Sequence, residues 1–158
     1  MEYCVSRVLP WSRQRIWQVL NDVHHFARHD PFHHNLVYMT GRRSGLGTMF
    51  RIRHSYLPIF PFAADEVVCT VTQWEPERTQ TLLERNRKAY RSHTQRLTLT
   101  PLGAATLLEY TINYKGIPSW LVPVAQWVRW RVKRRMDEKL TQIARLCDEG
   151  EAQMIHLP

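Results

Sequence analysis

Apolar residues recur at every second position over most of the first 114 residues, the pattern of strands with one covered face. Residues 105–114 show it most clearly, because Leu108, Tyr110, Ile112 and Tyr114 alternate with polar residues. Such a strand belongs to a sheet that is wet on one face and covered on the other. The same pattern predicts strands over residues 3–9, 36–43, 47–56, 66–77, 81–87, 93–102 and 105–114. Gly45 to Gly47 mark the turn of the first hairpin.

Two segments follow the helical period instead. Ser12 is a natural N-cap, and an apolar face at helical spacing follows it, formed by Ile16, Trp17, Val19 and Leu20. The longest element is a final helix over residues 119–148. At 100° per residue, one stripe runs along its length and should face the sheet: Leu121, Ala125, Val128, Val132, Met136, Leu140, Ile143 and Cys147.

The length of 158 residues fits one compact domain, which we place at residues 1–148. Residues 149–158 are expected to be a dispensable C-terminal tail. The segment 57–62, LPIFPF, holds two prolines and is expected to be a loop folded over an opening.

Three cysteines without a CxxC pair favour a reducing compartment, and residues 1–15 lack the apolar run of a secretory signal. We therefore expect a cytoplasmic protein, with peripheral association at a membrane as an alternative. The net charge of +8 favours anionic partners, although most basic residues are scattered along the chain.

The stretch HHFARHDPFHH, residues 24–34, contains five of the eight histidines and raises the question of a metal site. His25 and His29 stand four apart and could meet on one helical face. His33 and His34 lie beyond Asp30-Pro31, which marks a helix end, and no HExxH-type carboxylate accompanies them. We expect no metal and no other cofactor, and a polar rim instead. One of these histidines as a proton donor at a cavity mouth is the minority interpretation.

The order of elements and several segments resemble the START-like superfamily, also called the helix-grip, SRPBCC or polyketide cyclase/dehydrase-like family. The resemblance spans residues 1–148 and rests on VSRVLPWSRQRIWQVLNDVHHFARHDP, GLGTMFRI, VTQWEPERTQTLLE, RLTLTPLGAATLLEYTINY and the closing amphipathic helix. It implies an α+β helix-grip fold. In that fold a seven-stranded antiparallel sheet curls around a long C-terminal helix, two short helices follow the first strand, and an apolar cavity lies between sheet and helix.

Inward positions alternate along the strands of a curved sheet, so the candidates for the cavity wall follow from the strand pattern. Sparse polar groups on an apolar wall suit a hydrophobic ligand that carries a few oxygens. The sheet candidates are His54, Tyr56, His93, Gln95, Leu97, Leu99, Leu108, Tyr110, Ile112 and Tyr114. The final helix adds Val128, Val132 and Met136.

The leading hypothesis is a non-catalytic carrier or sensor of a hydrophobic small molecule such as a lipid, isoprenoid or polyketide. The rival is a polyketide cyclase or dehydratase in which His54 or His93, with Tyr110, supplies acid/base chemistry. Glu109 should lie on the wet face, and the face of Glu84 is uncertain. No nucleophile motif, glycine-rich phosphate loop or metal signature supports another chemistry.

The segment WVRWRVKRR, residues 127–135, places aromatic and basic residues on the outer face of the final helix. Trp127, Trp130, Arg131 and Arg134 project away from the apolar stripe. Indole and guanidinium together suit the surface of an anionic membrane, which would make the protein a lipid or quinone chaperone at that surface. Cover by residues 57–62 or a homodimer are the alternatives. Nucleic acid is not expected, because no groove-reading module is present.

Overall fold

The computed structural model describes residues 2–22, 33–55, 64–86, 92–114 and 125–155. Their elements are β1 (Glu2–Leu9), α1 (Arg13–Asn21), β2 (His33–Tyr38), β3 (Met49–Ser55), β4 (Ala64–Glu75), β5 (Thr79–Asn86), β6 (Ser92–Leu102), β7 (Ala105–Tyr114) and α2 (Ala125–Ile155). The predicted second short helix falls on residues outside these ranges, as do Tyr56 and the segment 57–62.

The seven strands form one antiparallel sheet in the order β1-β7-β6-β5-β4-β3-β2. From β2 to β7 each strand pairs with the next one along the chain, while β1 closes against β7. The β6–β7 turn needs Gly103, since its φ of 65° lies in the left-handed region that side chains disfavour. The predicted α+β helix-grip fold is confirmed.

Helix α1 begins where the sequence predicts. The Ser12 side chain accepts a hydrogen bond from the Arg15 amide at 3.3 Å, which satisfies one of the amides left open at a helix start. Ile16, Trp17, Val19 and Leu20 are buried on one face.

Helix α2 presents its predicted apolar stripe to the sheet. Met136, Leu140, Ile143 and Cys147 have lost nearly all contact with solvent, and the helix packs on β1, β7 and α1. Of the remaining stripe residues Val132 is partly buried, Leu121 lies outside the described residues, and Ala125 and Val128 are described only as positions in the helix.

The helix does not end near residue 148 as predicted, because α2 continues through Gly150 to Ile155. A glycine inside a helix costs about 1 kcal/mol relative to alanine. The flanking sequence Glu149-Gly150-Glu151-Ala152-Gln153-Met154 is otherwise rich in helix formers, and Arg145 pairs with Glu149 at 3.4 Å. The single glycine is therefore insufficient to end the helix.

Two groups of buried apolar residues lie on the sheet. The main core joins β1, α1, β6, β7 and α2, and it contains Tyr3, Leu9, Ile16, Trp17, Val19, Leu20, Leu97, Leu99, Leu108, Tyr110, Ile112, Met136, Leu140, Ile143, Leu146 and Cys147. The second core consists of Phe50, Ile52, Val67 and Cys69 on β3 and β4, flanked by Leu36, Tyr38 and Leu82. Helix α2 covers the main core, and the second core lies further along the sheet toward β2.

Candidate functional site

Strand register brings a row of polar side chains together across β5, β6 and β7. His93 is the cross-strand partner of both Glu84 and Tyr114, and Gln95 stands two residues further along β6 opposite Ile112. Directly opposed residues point to the same face of a sheet. This row therefore lies on the inner face, next to the apolar residues of the main core.

Gln95 is the centre of this group. Its Oε1 accepts hydrogen bonds from the Tyr110 hydroxyl and, at 3.1 Å, from the Lys139 ammonium of α2. Its Nε2 donates to the Glu84 carboxylate. The donors on one side and the carboxylate on the other fix the orientation of the amide. We call Glu84, His93, Gln95, Tyr110 and Lys139 the polar cluster.

The Glu84 side chain is 9% exposed, and its carboxylate lies 3.0 Å from Nε2 of His93. An unprotonated nitrogen at that distance would set a lone pair against the carboxylate, so we place a proton on Nε2, which donates to Glu84. The 3.3 Å separation between Nε2 of His93 and Nε2 of Gln95 is then a contact between two donors that share one acceptor group. The carboxylate orients the imidazole.

Cys69 lies on the other side of Glu84, as its cross-strand partner on β4. Burial raises the pKa of the Cys69 thiol well above its ordinary value, and the neighbouring Glu84 charge and a hydrogen bond to it act in the same direction. The group therefore stays a neutral thiol that serves the carboxylate as a donor. It is not suited to nucleophilic chemistry.

Lys139 brings the positive charge of the cluster. Its Nζ lies 3.4 Å from the Tyr110 hydroxyl and 4.8 Å from the centre of the Tyr110 ring. Ammonium and aromatic face attract each other. With Glu84 on the far side of Gln95, the site holds one negative and one positive side chain bridged by an amide, an arrangement that lowers the cost of burying either charge.

Tyr114 extends the site toward the end of β7. Its ring stacks on the His93 imidazole, with centroids 4.9 Å apart and planes 28° from parallel. Burial raises the pKa of the Tyr114 hydroxyl above its ordinary value, so the group remains a neutral phenol.

The side chains of the site differ in their exposure to solvent. Gln95 and Tyr110 are buried, whereas the His93 side chain is 20% exposed and Lys139 and Tyr114 are partly exposed. The exposed surface of the described site therefore belongs to His93, Tyr114 and Lys139, while Gln95 and Glu84 are buried.

The predicted ligand-binding residues fall into three groups. His93, Gln95, Tyr110 and Tyr114 meet in or beside the polar cluster. Leu97, Leu99, Leu108, Ile112 and Met136 are buried in the main core, and Val132 packs against it. His54 is placed on β3 opposite His33 and Asp65, and Val128 in α2, but their side chains, like Tyr56, are outside the described part. A ligand-binding role for each stays a prediction.

Sequence reasoning missed two residues of the cluster. Glu84 follows Leu82 and Leu83, two adjacent apolar residues that give no alternation, so its face could not be assigned. Lys139 lies three residues after Met136 and seven after Val132, on the flank of the inward stripe. That spacing was the available signal, but a flanking lysine ordinarily extends its charge to water.

The outer face of α2 carries the predicted aromatic and basic residues. Trp130 is 54% exposed, and the Arg134 guanidinium lies 5.5 Å from its ring centre. Arg131 and Arg134 are exposed, and Arg134 pairs with Glu138 at 3.1 Å. For Trp127 only the position in the helix is described.

Within the described ranges, no three His, Cys, Asp or Glu side chains gather in a way that could hold a metal ion. Residues 23–32 fall outside those ranges, so the expectation for the histidine stretch stays a prediction. None of the described helices combines the length and apolarity needed to cross a bilayer.

Comparisons with known proteins agree on the fold. A conserved protein from Geobacillus kaustophilus superposes with a TM-score of 0.75 at 13% identity, over 94% of this chain and 96% of the other. TTHA0849 from Thermus thermophilus superposes with a TM-score of 0.73 at 13% identity, over 95% of this chain and 99% of the other. DynU16, described as a putative protein in the dynemicin biosynthetic locus, superposes with a TM-score of 0.66 at 17% identity. The match covers 94% of this chain and 48% of the DynU16 chain.

No curated protein sequence matches the chain. Residues 3–148 match the family model described as polyketide cyclase / dehydrase and lipid transport, which covers the sheet and most of α2. The chain belongs to the polyketide cyclase/dehydrase and lipid transport family.

Proposed function

We propose that the protein binds a hydrophobic small molecule between the inner face of the sheet and α2, and that the polar cluster holds the polar end of this ligand. The observation that carries the proposal is the cluster itself, a connected set of charged and polar groups on a face that is otherwise mainly apolar. Small-molecule sites have this composition.

Stability alone does not account for the cluster. Burying a carboxylate and an ammonium is costly, and apolar residues of similar volume at such positions are often as stable or more so. Strands β6 and β7 supply such residues immediately alongside, with Leu97 and Leu108. A charged group in place of another leucine therefore favours a role in recognition.

The accessible groups indicate the chemistry of the ligand. Lys139 offers an ammonium donor, and His93 and Tyr114 offer stacked rings. A hydrogen bond from a charged donor to an oxygen is stronger than a neutral one. We therefore expect a hydrophobic body with a carbonyl, hydroxyl or acidic oxygen at one end. Lipids and polyketides both fit, and the family description names both classes.

Titration with the fluorescent probe 1-anilinonaphthalene-8-sulfonate, which joins aromatic rings to an anionic oxygen group, tests the proposal. Lys139→Met keeps the length of the side chain and removes the charge. We expect it to weaken binding about tenfold or more, since a hydrogen bond to a charged group contributes ~1.5–3 kcal/mol.

Arg145→Met is the matched control, because Arg145 is an exposed cation further along the same helix. It should bind the probe like the unmodified protein. Equal dissociation constants for Lys139→Met and the unmodified protein, with both folded by circular dichroism, would contradict the proposal.

The hydrogen bond between Glu84 and His93 favours a second candidate function, acid/base catalysis of a cyclisation or dehydration. A base held by a carboxylate is the usual arrangement for proton transfer, and the hydroxyl groups of Tyr110 and Tyr114 lie nearby. His93→Gln should then abolish turnover of a poly-β-ketone while it retains probe binding. Unchanged turnover would remove this candidate.

For the location we propose the cytoplasm. Cys4, Cys69 and Cys147 are all unpaired, and free thiols suit a reducing compartment.

A further inference from the structure

Charge is strongly segregated along α2. Residues 125–136 contain Arg129, Arg131, Lys133, Arg134 and Arg135 and no acidic residue, whereas Asp137 and Glu138 begin an acid-rich second half. Four of the five cations, all except Arg135, are exposed. We call Arg129, Trp130, Arg131, Lys133 and Arg134 the basic face.

Trp130 is the centre of this face. At 100° per residue Lys133 and Arg134 flank it on either side, Arg129 and Arg131 lie about 100° away, and Asp137 lies on the same face, while Met136 of the inward stripe lies about 120° away. The indole is 54% exposed although tryptophan has the largest apolar side chain, and Arg134 covers only part of it. Lys133 and Arg134 line a groove beside the indole together with Asp137 and Glu138, and Glu138 pairs with Arg134. Cations still outnumber acids around this half-exposed indole, which is typical of a protein that meets the headgroup layer of a bilayer.

The basic half of α2 lies near the end of the sheet that holds His93 and Tyr114. Tyr114 is the last residue of β7, His93 is its partner near the start of β6, and the charge of Arg135 acts on Tyr114. Trp130 precedes Arg135 by five residues, about 7.5 Å along the helix. A surface bound here would lie close to the His93 and Tyr114 end of the proposed site.

We propose that the basic face docks on an anionic phospholipid bilayer, with Trp130 at headgroup level and the surrounding cations at the lipid phosphates and carboxylates. Charge complementarity selects this occupant. A second copy of the chain in a symmetric dimer with its axis at Trp130 would bring the same cations together and repel. Docking does not depend on the identity of the internal ligand.

Co-sedimentation with vesicles tests the proposal, with phosphatidylcholine alone compared with phosphatidylcholine plus phosphatidylserine. Binding should require phosphatidylserine and weaken as salt rises. Arg131→Glu with Lys133→Glu should reduce the partition coefficient at least ~25-fold, because each basic residue near the surface contributes about fivefold. Trp130→Ala should reduce it as well, without loss of helical circular dichroism.

Each variant has a matched control elsewhere on the surface. Arg85→Glu with Arg96→Glu makes the same change of net charge at two exposed residues on the outer face of the sheet. Met39→Ala removes an apolar side chain that is as exposed as Trp130. Both should leave vesicle binding within about twofold of the unmodified protein, because neither touches the basic face.

Four results would overturn the proposal. One is equal binding to neutral and anionic vesicles. Another is an equal loss of binding in the Arg85/Arg96 control, which would show that only net charge matters. The third is sedimentation-equilibrium evidence of a dimer that Trp130→Ala dissociates. The fourth is tighter binding to duplex DNA that the same charge reversal abolishes. Either of the last two would assign the face to another partner.

Discussion

The same two strands carry an apolar region and a polar region on one face. Toward one end of β6 and β7 the inner residues are Leu97, Leu99 and Leu108, packed against α1 and α2, while toward the other end they are His93 and Tyr114. The first region excludes water and needs no hydrogen bonds. The second holds a carboxylate and an ammonium that must be satisfied by neighbours. The difference fits the proposed function, in which one end of the sheet provides stability and the other would bind the ligand.

The largest expected effect comes from the apolar region. Leu140 is fully buried between α2 and the sheet, so Leu140→Ala should lower the free energy of unfolding by about 3–4 kcal/mol through lost burial and a cavity. Urea denaturation measures it. Leu46→Ala removes an exposed leucine and should change the value by less than ~0.5 kcal/mol. Similar losses for the two variants would contradict the assignment of the main core.

Removal of the carboxylate is expected to have the next largest effect. Glu84→Ala leaves the Gln95 amide and His93 Nε2 without an acceptor and Lys139 without its opposite charge, so stability should fall by about 2 kcal/mol. Probe binding should also be lost. Glu109→Ala, on the other face of β7, should change neither quantity appreciably. A stable Glu84→Ala variant with full binding would show that the cluster is not a connected unit.

A double-mutant cycle can sharpen the comparison further. Tyr110→Phe should cost about 1 kcal/mol by removing the hydrogen bond to Gln95. Combined with Lys139→Met, it should show a coupling energy of at least ~0.5 kcal/mol, because both groups share Gln95 Oε1. The exposed Arg134–Glu138 pair is the reference, with an expected coupling no larger than that. Additive effects of Tyr110 and Lys139 would contradict a shared network.

The last expected effect is confined to alkaline pH and lies in the apolar region. Burial raises the pKa of the Cys147 thiol from 9.0 to about 11. Between these values the unfolded chain releases the proton while the folded protein retains it, so stability falls as pH rises from about 9 through 11.

The slope of unfolding free energy against pH over that interval should therefore become shallower in Cys147→Ala. Cys4→Ala, at an exposed cysteine, is the control and should keep the original slope. Equal slopes for all three proteins would show that Cys147 does not contribute to the alkaline loss of stability.

The sequence predicts the fold better than the site, for a physical reason. The alternation along β7 predicts a strand, and the stripe through Met136 and Leu140 predicts a helix. Each prediction rests on many residues that all indicate the same element. The face of Glu84 depends on a single register, its alignment with Cys69 and His93 across two neighbouring strands. Register between strands is not encoded locally when adjacent residues such as Leu82 and Leu83 are both apolar.

The contribution of α2 to the site, Lys139, could not be predicted from the sequence either. A lysine beside an apolar stripe can extend to water or turn inward. The outcome depends on whether the facing sheet offers hydrogen-bond acceptors. For Lys139 those acceptors are Gln95 and Tyr110, which are distant in sequence. His93, Gln95 and Tyr110 could be predicted from alternation, but their connection through one amide could not.

The most direct test of the central claim is a crystal structure of the protein grown with a hydrophobic ligand that carries a terminal carbonyl or carboxylate. The account predicts electron density between α2 and the β5–β7 face, with a ligand oxygen within hydrogen-bonding distance of Lys139 Nζ or His93. It would be contradicted by a ligand whose oxygen points away from the polar cluster, or by side chains that fill the space and leave no room for a ligand.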